Sequence, residues 1–261
     1  MIKLGICTSP ENIGLVEKAG FNFIEIGFSW LAGLSEEEYQ KALSQVRAAG
    51  IGAEAANGMV PGDIKLTGPE ADEAKIRAYL EKAFSRGREI GLKVVVFGSG
   101  AARGVPEGFP HGEAWRQVAK YLTIASEYCV KYGIELAIEP LRRAECNILN
   151  FVTEGTALSA LLDLPGIGVL GDTHHMNCGG EPLSALSQAG KYLKHIHISH
   201  SMGDEGGRDF PAPGDDGDYK ALFDVLKGAG YEGRVSIEAG CKNMAEDAVK
   251  AYEVLTAARD A

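Results

Sequence analysis

Short apolar runs alternate along the chain with longer stretches whose apolar residues recur every three to four positions. The runs are IKLGIC (2–7), NFIEIG (22–27), GAEAAN (52–57), KVVVFG (93–98), IELAIE (134–139), VLGD (169–172), HIHIS (195–199) and RVSIE (234–238). They are short, often β-branched and bounded by Gly, Asn or Asp, the pattern of buried parallel strands. Helices are predicted between them. SEEEYQKALSQVRAAG (35–50) has Ser35 and Glu38 in capping-box spacing and stops at Gly50. EADEAKIRAYLEKAFSRGREIG (70–91) and GEAWRQVAKYLTIASEYCVKYG (112–133) are amphipathic runs that end at glycine.

Eight strand–helix units share 261 residues, about 33 residues each, which predicts an α/β fold: a (β/α)8 TIM barrel, one domain over residues 1–261. The rival is a doubly wound open sheet. That fold favours a Gly-rich first turn, and the turn here, CTSPENIG, holds no GxGxxG.

A barrel brings the carboxyl ends of its strands to one face, where catalytic groups gather. Polar residues mark those ends: Glu25, Asn57, Glu139, Asp172, His197 and Glu238. The last four close four consecutive strands. Three carboxylates and an imidazole on one rim repel one another or carry a heavy desolvation cost unless a cation joins them. An oxygen-rich set with one histidine predicts one divalent ion held by Glu139, Asp172, His197 and Glu238. Mn2+, Co2+ or Mg2+ suit it best, with Zn2+ after them. His195 and His197 share the inward face of their strand. His197 lies nearer the rim and is the better ligand, while His195 is deeper, a supporting or structural residue. One of His174 and His175 is expected to face the cavity, and spacing leaves open which.

The segments IEPLRRAEC (138–146), GDTHHMN (171–177), HIHISHSMGDEGGRDFPAPG (195–214) and SIEAG (236–240) resemble the xylose isomerase-like barrel superfamily. Within it they are most similar to the sugar isomerase/epimerase branch that includes the D-tagatose and D-psicose 3-epimerases. The resemblance spans the chain, with its specific motifs in the second half. It places the family's metal ligands on Glu139, Asp172, His197 and Glu238. Substrate contacts fall on Glu145, His175 and Arg208, so the resemblance selects His175 over His174. It implies proton transfer next to a sugar carbonyl through an enediolate. Of Glu139 and Glu238, one would abstract the proton and the other return it, to the same carbon in an epimerase or to its neighbour in an isomerase.

The early loops, EAANGMVPGD and VFGSGAARGVPEGF, match no substrate pattern. By position they offer Glu54, Asn57, Ser99 and Arg103 as pocket candidates, each equally readable as a cap or turn residue. Gly-rich, basic SGAARG reads as a mobile loop first and a phosphate-binding loop second. Trp30 is either a wall for a sugar face or a core residue. His111, ahead of a helix, and His200, in a loop, are expected at the surface.

Net charge of −10 argues against a nucleic-acid binder and gives no support to a polybasic membrane-surface protein. No run of 18 apolar residues predicts a membrane span. The opening MIKLGICTSPENIG reaches Pro10 and Glu11 before any leader-like core, and five scattered cysteines read as free thiols, so a cytoplasmic protein is expected. The expected partner is a small sugar or keto acid, with no nucleic acid and no membrane; a homo-oligomer is compatible with the sequence. Hydroxypyruvate isomerase or an inosose dehydratase-type enzyme on the same scaffold is the main alternative. A DNA-repair endonuclease of this superfamily needs further early ligands, yet no histidine precedes His111. A non-catalytic binding subunit would have no need of Glu139 and Glu238 matched across a metal.

Overall fold

The computed structural model describes residues 1–203 and 207–261. Eight parallel strands close a barrel: β1 (Lys3–Cys7), β2 (Phe23–Gly27), β3 (Gly52–Asn57), β4 (Val94–Phe97), β5 (Glu135–Ile138), β6 (Ile167–Asp172), β7 (Leu193–Ile198) and β10 (Arg234–Ile237). Their order around it is β1–β10–β7–β6–β5–β4–β3–β2. This is the expected (β/α)8 TIM barrel, with strand limits within two residues of the apolar runs. A two-stranded antiparallel hairpin, β8 (His200–Ser201) with β9 (Arg208–Asp209), follows β7. Strands of two residues are too short to leave a periodic pattern, so the sequence does not announce them.

Around the barrel run α1 (Ile13–Lys18), α2 (Phe28–Gly33), α3 (Glu36–Ala48), α4 (Glu73–Ile90), α5 (Gly100–Arg103) and α6 (His111–Tyr132). They are followed by α7 (Val152–Leu162), α8 (Thr173–Gly179), α9 (Ser184–Ala189), α10 (Tyr219–Gly228) and α11 (Met244–Asp260). The capping box at α3 forms: Glu38 N donates to Ser35 Oγ at 3.3 Å, and Ser35 N to Glu38 Oε2 at 2.9 Å. Helix α4 starts three residues later than its amphipathic run because the Asp72 carboxylate takes the Ala74 and Lys75 amides, fixing the N-cap there. Its end matches the prediction: Gly91, at φ 109°, adopts the left-handed conformation that stops the helix.

Two apolar layers hold the barrel. Phe23, Ala55, Val94, Val96, Ala137 and Leu170 fill its interior. The outward faces of the strands, with residues such as Leu4, Ile24, Ile26, Val95 and Ile138, pack on helix residues such as Phe84, all buried. Each such side chain contributes roughly 1.5–3 kcal/mol by leaving water. The polar residues that end the strands lie together at the carboxyl ends.

The β2–β3 register shifts between Ile24/Ala53 and Glu25/Ala55, leaving Glu54 as an extra residue in β3. Its carboxylate lies near the amino-terminal end of the barrel, 2.7 Å from Lys3 Nζ and 2.6 Å from Arg234 Nη2. Lys3 opens β1 and Arg234 opens β10, so Glu54 ties strand starts together. Its reading as a pocket residue is corrected: the bulge aims it away from the mouth.

Candidate active site

At the opposite end, Glu139 follows β5 directly, Asp172 ends β6, His197 is the penultimate residue of β7 and Glu238 follows β10. Parallel strands in a closed barrel deliver all four to one point. Glu139, Asp172 and His197 are buried, and Glu238 is partly so. His197 Nδ1 stands 3.2 Å from Glu139 Oε1, 3.2 Å from Glu238 Oε2 and 3.8 Å from Asp172 Oδ2. Asp172 also caps α8 through Oδ1, accepting from His174 N at 2.7 Å, which leaves Oδ2 free to face the cluster. Room for Glu139 comes from Gly98, after β4: a Cβ built there would collide with Glu139 Oε2.

One donor atom from each of these four residues lies within 4.8 Å of the other three. Glu238 Oε2 is buried and accepts no aligned hydrogen bond, although two N–H-bearing side chains stand close to it. An imidazole nitrogen facing three carboxylates either carries a proton or yields its lone pair to a cation. The donor set therefore fits a divalent ion with oxygen preference. A second, fully buried group, Glu25, His195 and His197, shares His197 with this one.

The electrostatics separate the two glutamates. Burial pushes the Glu139 carboxyl above the usual range, and the Glu238 charge beside it adds to that. Burial acts the same way on Glu238, but the charges of His197 and Arg208 outweigh it and hold that carboxyl at about 2. Burial favours neutral His197; the Glu25 and Glu238 carboxylates overcome it and raise that imidazole well above its ordinary value.

Arg208, in β9, sets Nη1 2.7 Å from Asp172 Oδ2 and 2.8 Å from Glu238 Oε2. The hairpin thus carries its guanidinium into the mouth. His175 is buried with Nε2 3.8 Å from Asp172 Oδ2 and 4.0 Å from Glu139 Oε1. His174 turns aside to Ser201 Oγ, 2.9 Å away, so the cavity-facing histidine is His175. Glu145 lies at the rim, its Oε1 2.6 Å from Arg142 Nε, with a carboxylate oxygen within 4.8 Å of a ring nitrogen of His175.

The other pocket candidates divide. Asn57 reaches the site, donating from Nδ2 to Glu238 Oε1 at 3.0 Å. Ser99 does not; its Oγ accepts from Val60 N at 2.8 Å and orders a turn. Arg103 is fully buried in α5 and donates to the carbonyls of Phe97 (2.7 Å), Glu139 (2.7 Å) and Leu149 (3.3 Å). Backbone oxygens occupy that guanidinium, so SGAARG is neither a phosphate loop nor loose; Arg103 pins the segment that bears Glu139. Trp30 is 41% exposed on α2, which excludes the core reading. His111 is exposed as expected, whereas His200 is half-buried and pairs with Asp216 at 2.8 Å.

Two residues at the site receive no role from the sequence. Cys7, at the end of β1, brings its sulfur within 4.8 Å of donor atoms of His197 and Glu238. Glu25 bonds both His195 and His197. The available signal was inward parity on β2, since a carboxylate pointing into a barrel needs a partner.

Residues 13–258 match the family described as xylose isomerase-like TIM barrel. The chain belongs to that family. It is similar to an L-ribulose 3-epimerase of Mesorhizobium japonicum, 26% identical over 223 residues, covering 85% of this chain and 72% of that protein. It is also similar to a 3-dehydro-D-guloside 4-epimerase of Escherichia coli, 28% identical over 138 residues, covering 52% of this chain and half (50%) of that protein. Among solved structures, a D-allulose 3-epimerase of Methylomonas in complex with D-allulose superposes with TM-score 0.83 at 20% identity, covering 98% of this chain and 96% of that one. At that identity the likeness establishes the shared fold. No helix among the described residues is long and apolar enough to cross a membrane.

Proposed function

We propose that this member of the xylose isomerase-like family is a metal-dependent ketose epimerase, acting by proton transfer at the carbon beside the carbonyl. The observation that carries the reading is the pair Glu139 and Glu238, delivered by two different strands to within 3.2 Å of the same His197 nitrogen. The names of the relatives, epimerases of ketoses and keto-sugars, point to the same chemistry.

One of Glu139 and Glu238 removes a proton from carbon, and the other returns one from the other side. In the reverse direction the roles exchange. A divalent ion held by Glu139, Asp172, His197 and Glu238 would polarise the carbonyl and steady the negative charge that develops on its oxygen. Arg208 anchors two of the carboxylates and offers its remaining N–H groups to substrate oxygens. His175 and Glu145 stand where they would receive sugar hydroxyls, and Asn57 orients the Glu238 carboxylate.

Incubation of metal-supplemented protein with L-ribulose, D-psicose, D-tagatose and D-fructose, followed by NMR, tests the assignment. The expected result is conversion of at least one ketose to its C3 epimer. Turnover of hydroxypyruvate or a keto-inositol, with every ketose untouched, would move the chain to the other chemistry of this scaffold.

A further inference from the structure

The third residue of β2 has no part in the reaction above, yet it lies directly behind it. Glu25 is 1% exposed and reaches across the barrel interior to β7. Its Oε1 is 2.9 Å from His197 Nε2, and its Oε2 is 2.7 Å from His195 Nε2. Both imidazoles are fully buried, stacked edge to face with centroids 5.2 Å apart. Among the described residues no lysine or arginine forms a salt bridge with this carboxylate, which leaves the two histidines as its partners.

Resting on the metal-site reading, we infer that Glu25 is a positioning residue that decides which nitrogen of His197 is presented to the metal. An ionised carboxylate only accepts hydrogen bonds, so each histidine must donate to it from Nε2. A neutral imidazole with its proton on Nε2 carries its lone pair on Nδ1. In His197 that atom is the one facing Glu139, Asp172 and Glu238. A single bond therefore fixes both the ring's orientation and its tautomer, and it raises the basicity of the ligating nitrogen.

His195 completes the device. It engages the second oxygen of Glu25, and Ser236 Oγ lies 3.2 Å from the same His195 nitrogen. With both oxygens engaged, the carboxylate resists rotation away from His197. This accounts for the H-x-H spacing on β7: the upper histidine serves the site and the lower one holds the residue that orients it. Glu25 touches no substrate in this scheme, being sealed beneath the cluster.

Titration of metal-free protein with Mn2+, with free ion read by electron paramagnetic resonance, tests the inference without any assay of turnover. Wild type should bind one ion per chain. Glu25→Leu, which removes the acceptor but fills the space, should lose affinity by about 10- to 100-fold. Glu25→Gln should lose less, because its amide oxygen still accepts from one imidazole. Affinity of Glu25→Leu within twofold of wild type, or above that of Glu25→Gln, would overturn the role of Glu25. Absence of binding by wild type would instead overturn the metal-site reading beneath it. Should either variant fail to fold by circular dichroism, nitrogen-15 NMR of histidine in Mg2+-loaded wild type decides. His197 protonated on Nε2 supports the assignment, and His197 protonated on Nδ1 overturns it.

Discussion

At the amino-terminal end of the barrel, Glu54 sits between Lys3 and Arg234, one carboxylate with two cations. At the carboxyl-terminal end, Glu139, Asp172 and Glu238 crowd around His197 with the guanidinium of Arg208 between two of them. Both groups are assembled from strand termini in the same way. The lower one is self-contained: burial raises the Glu54 carboxyl, and the hydrogen bonds from Lys3 and Arg234 outweigh it and set it below the ordinary range. The upper one sets three carboxylates against one guanidinium and one imidazole, and Glu238 Oε2 accepts no aligned hydrogen bond although Arg208 and His197 stand close to it. Charge satisfied internally serves the fold; charge left open serves a ligand. That difference separates a strand clasp from a reaction centre more sharply than residue type does.

The largest effects should come from the upper end. Glu139→Gln and Glu238→Gln should each lower kcat by roughly 10²–10⁴-fold in steady-state assays, the usual range for loss of an acid–base group, with near-ultraviolet circular dichroism unchanged. Near-normal turnover by either variant would erase the contrast between the ends. Chelation followed by gel filtration should reduce turnover to background, and added Mn2+ or Co2+ should restore it. The melting temperature should rise with the ion, since whatever binds only the folded state stabilises it.

Next is Gly98→Ala. The added methyl meets Glu139 Oε2 and should displace the carboxylate. A loss of kcat of about 10-fold or more, up to the roughly 10²-fold that a 1 Å misplacement brings, is expected with metal affinity also reduced.

The smallest effect belongs to the lower end. Glu54→Gln should leave kcat/KM unchanged while lowering stability in urea by about 1 kcal/mol, a partly buried charged hydrogen bond discounted for its remaining exposure. The pH dependence sharpens this. Because the folded carboxyl is held low, its stabilisation is present above the ordinary glutamate range and is lost as pH falls through the depressed value. Glu54→Gln should therefore flatten the acid limb of the stability profile. An activity loss in this variant would mean that the two ends are coupled.

The upper end was legible in the sequence largely because barrel geometry is repetitive. Once eight strands are counted, Glu139, Asp172, His197 and Glu238 fall at carboxyl ends and must converge. The start of α3 could be read for a local reason, since Ser35 and Glu38 satisfy each other within one turn. The placement of Glu54 is not legible in the sequence, because a bulge changes which way a residue points without altering the hydrophobic pattern around it. Arg103 reads as pocket chemistry in a Gly-rich segment, but two of the three carbonyls that claim it, those of Glu139 and Leu149, lie 36 and 46 residues further on, and no local pattern records them. Glu25 was visible as a strand-end carboxylate. Its partners lie about 170 residues away across the barrel interior, a relation that only closure of the sheet creates.

The central claim is that the upper carboxylates move a proton on and off carbon. Turnover of a ketose substrate in D2O, followed by proton NMR and mass spectrometry, tests it most directly. Wild type should place one solvent deuteron at the epimerised carbon per turnover, and Glu139→Gln or Glu238→Gln none above background. Epimerisation by wild type that leaves this carbon unlabelled would contradict it.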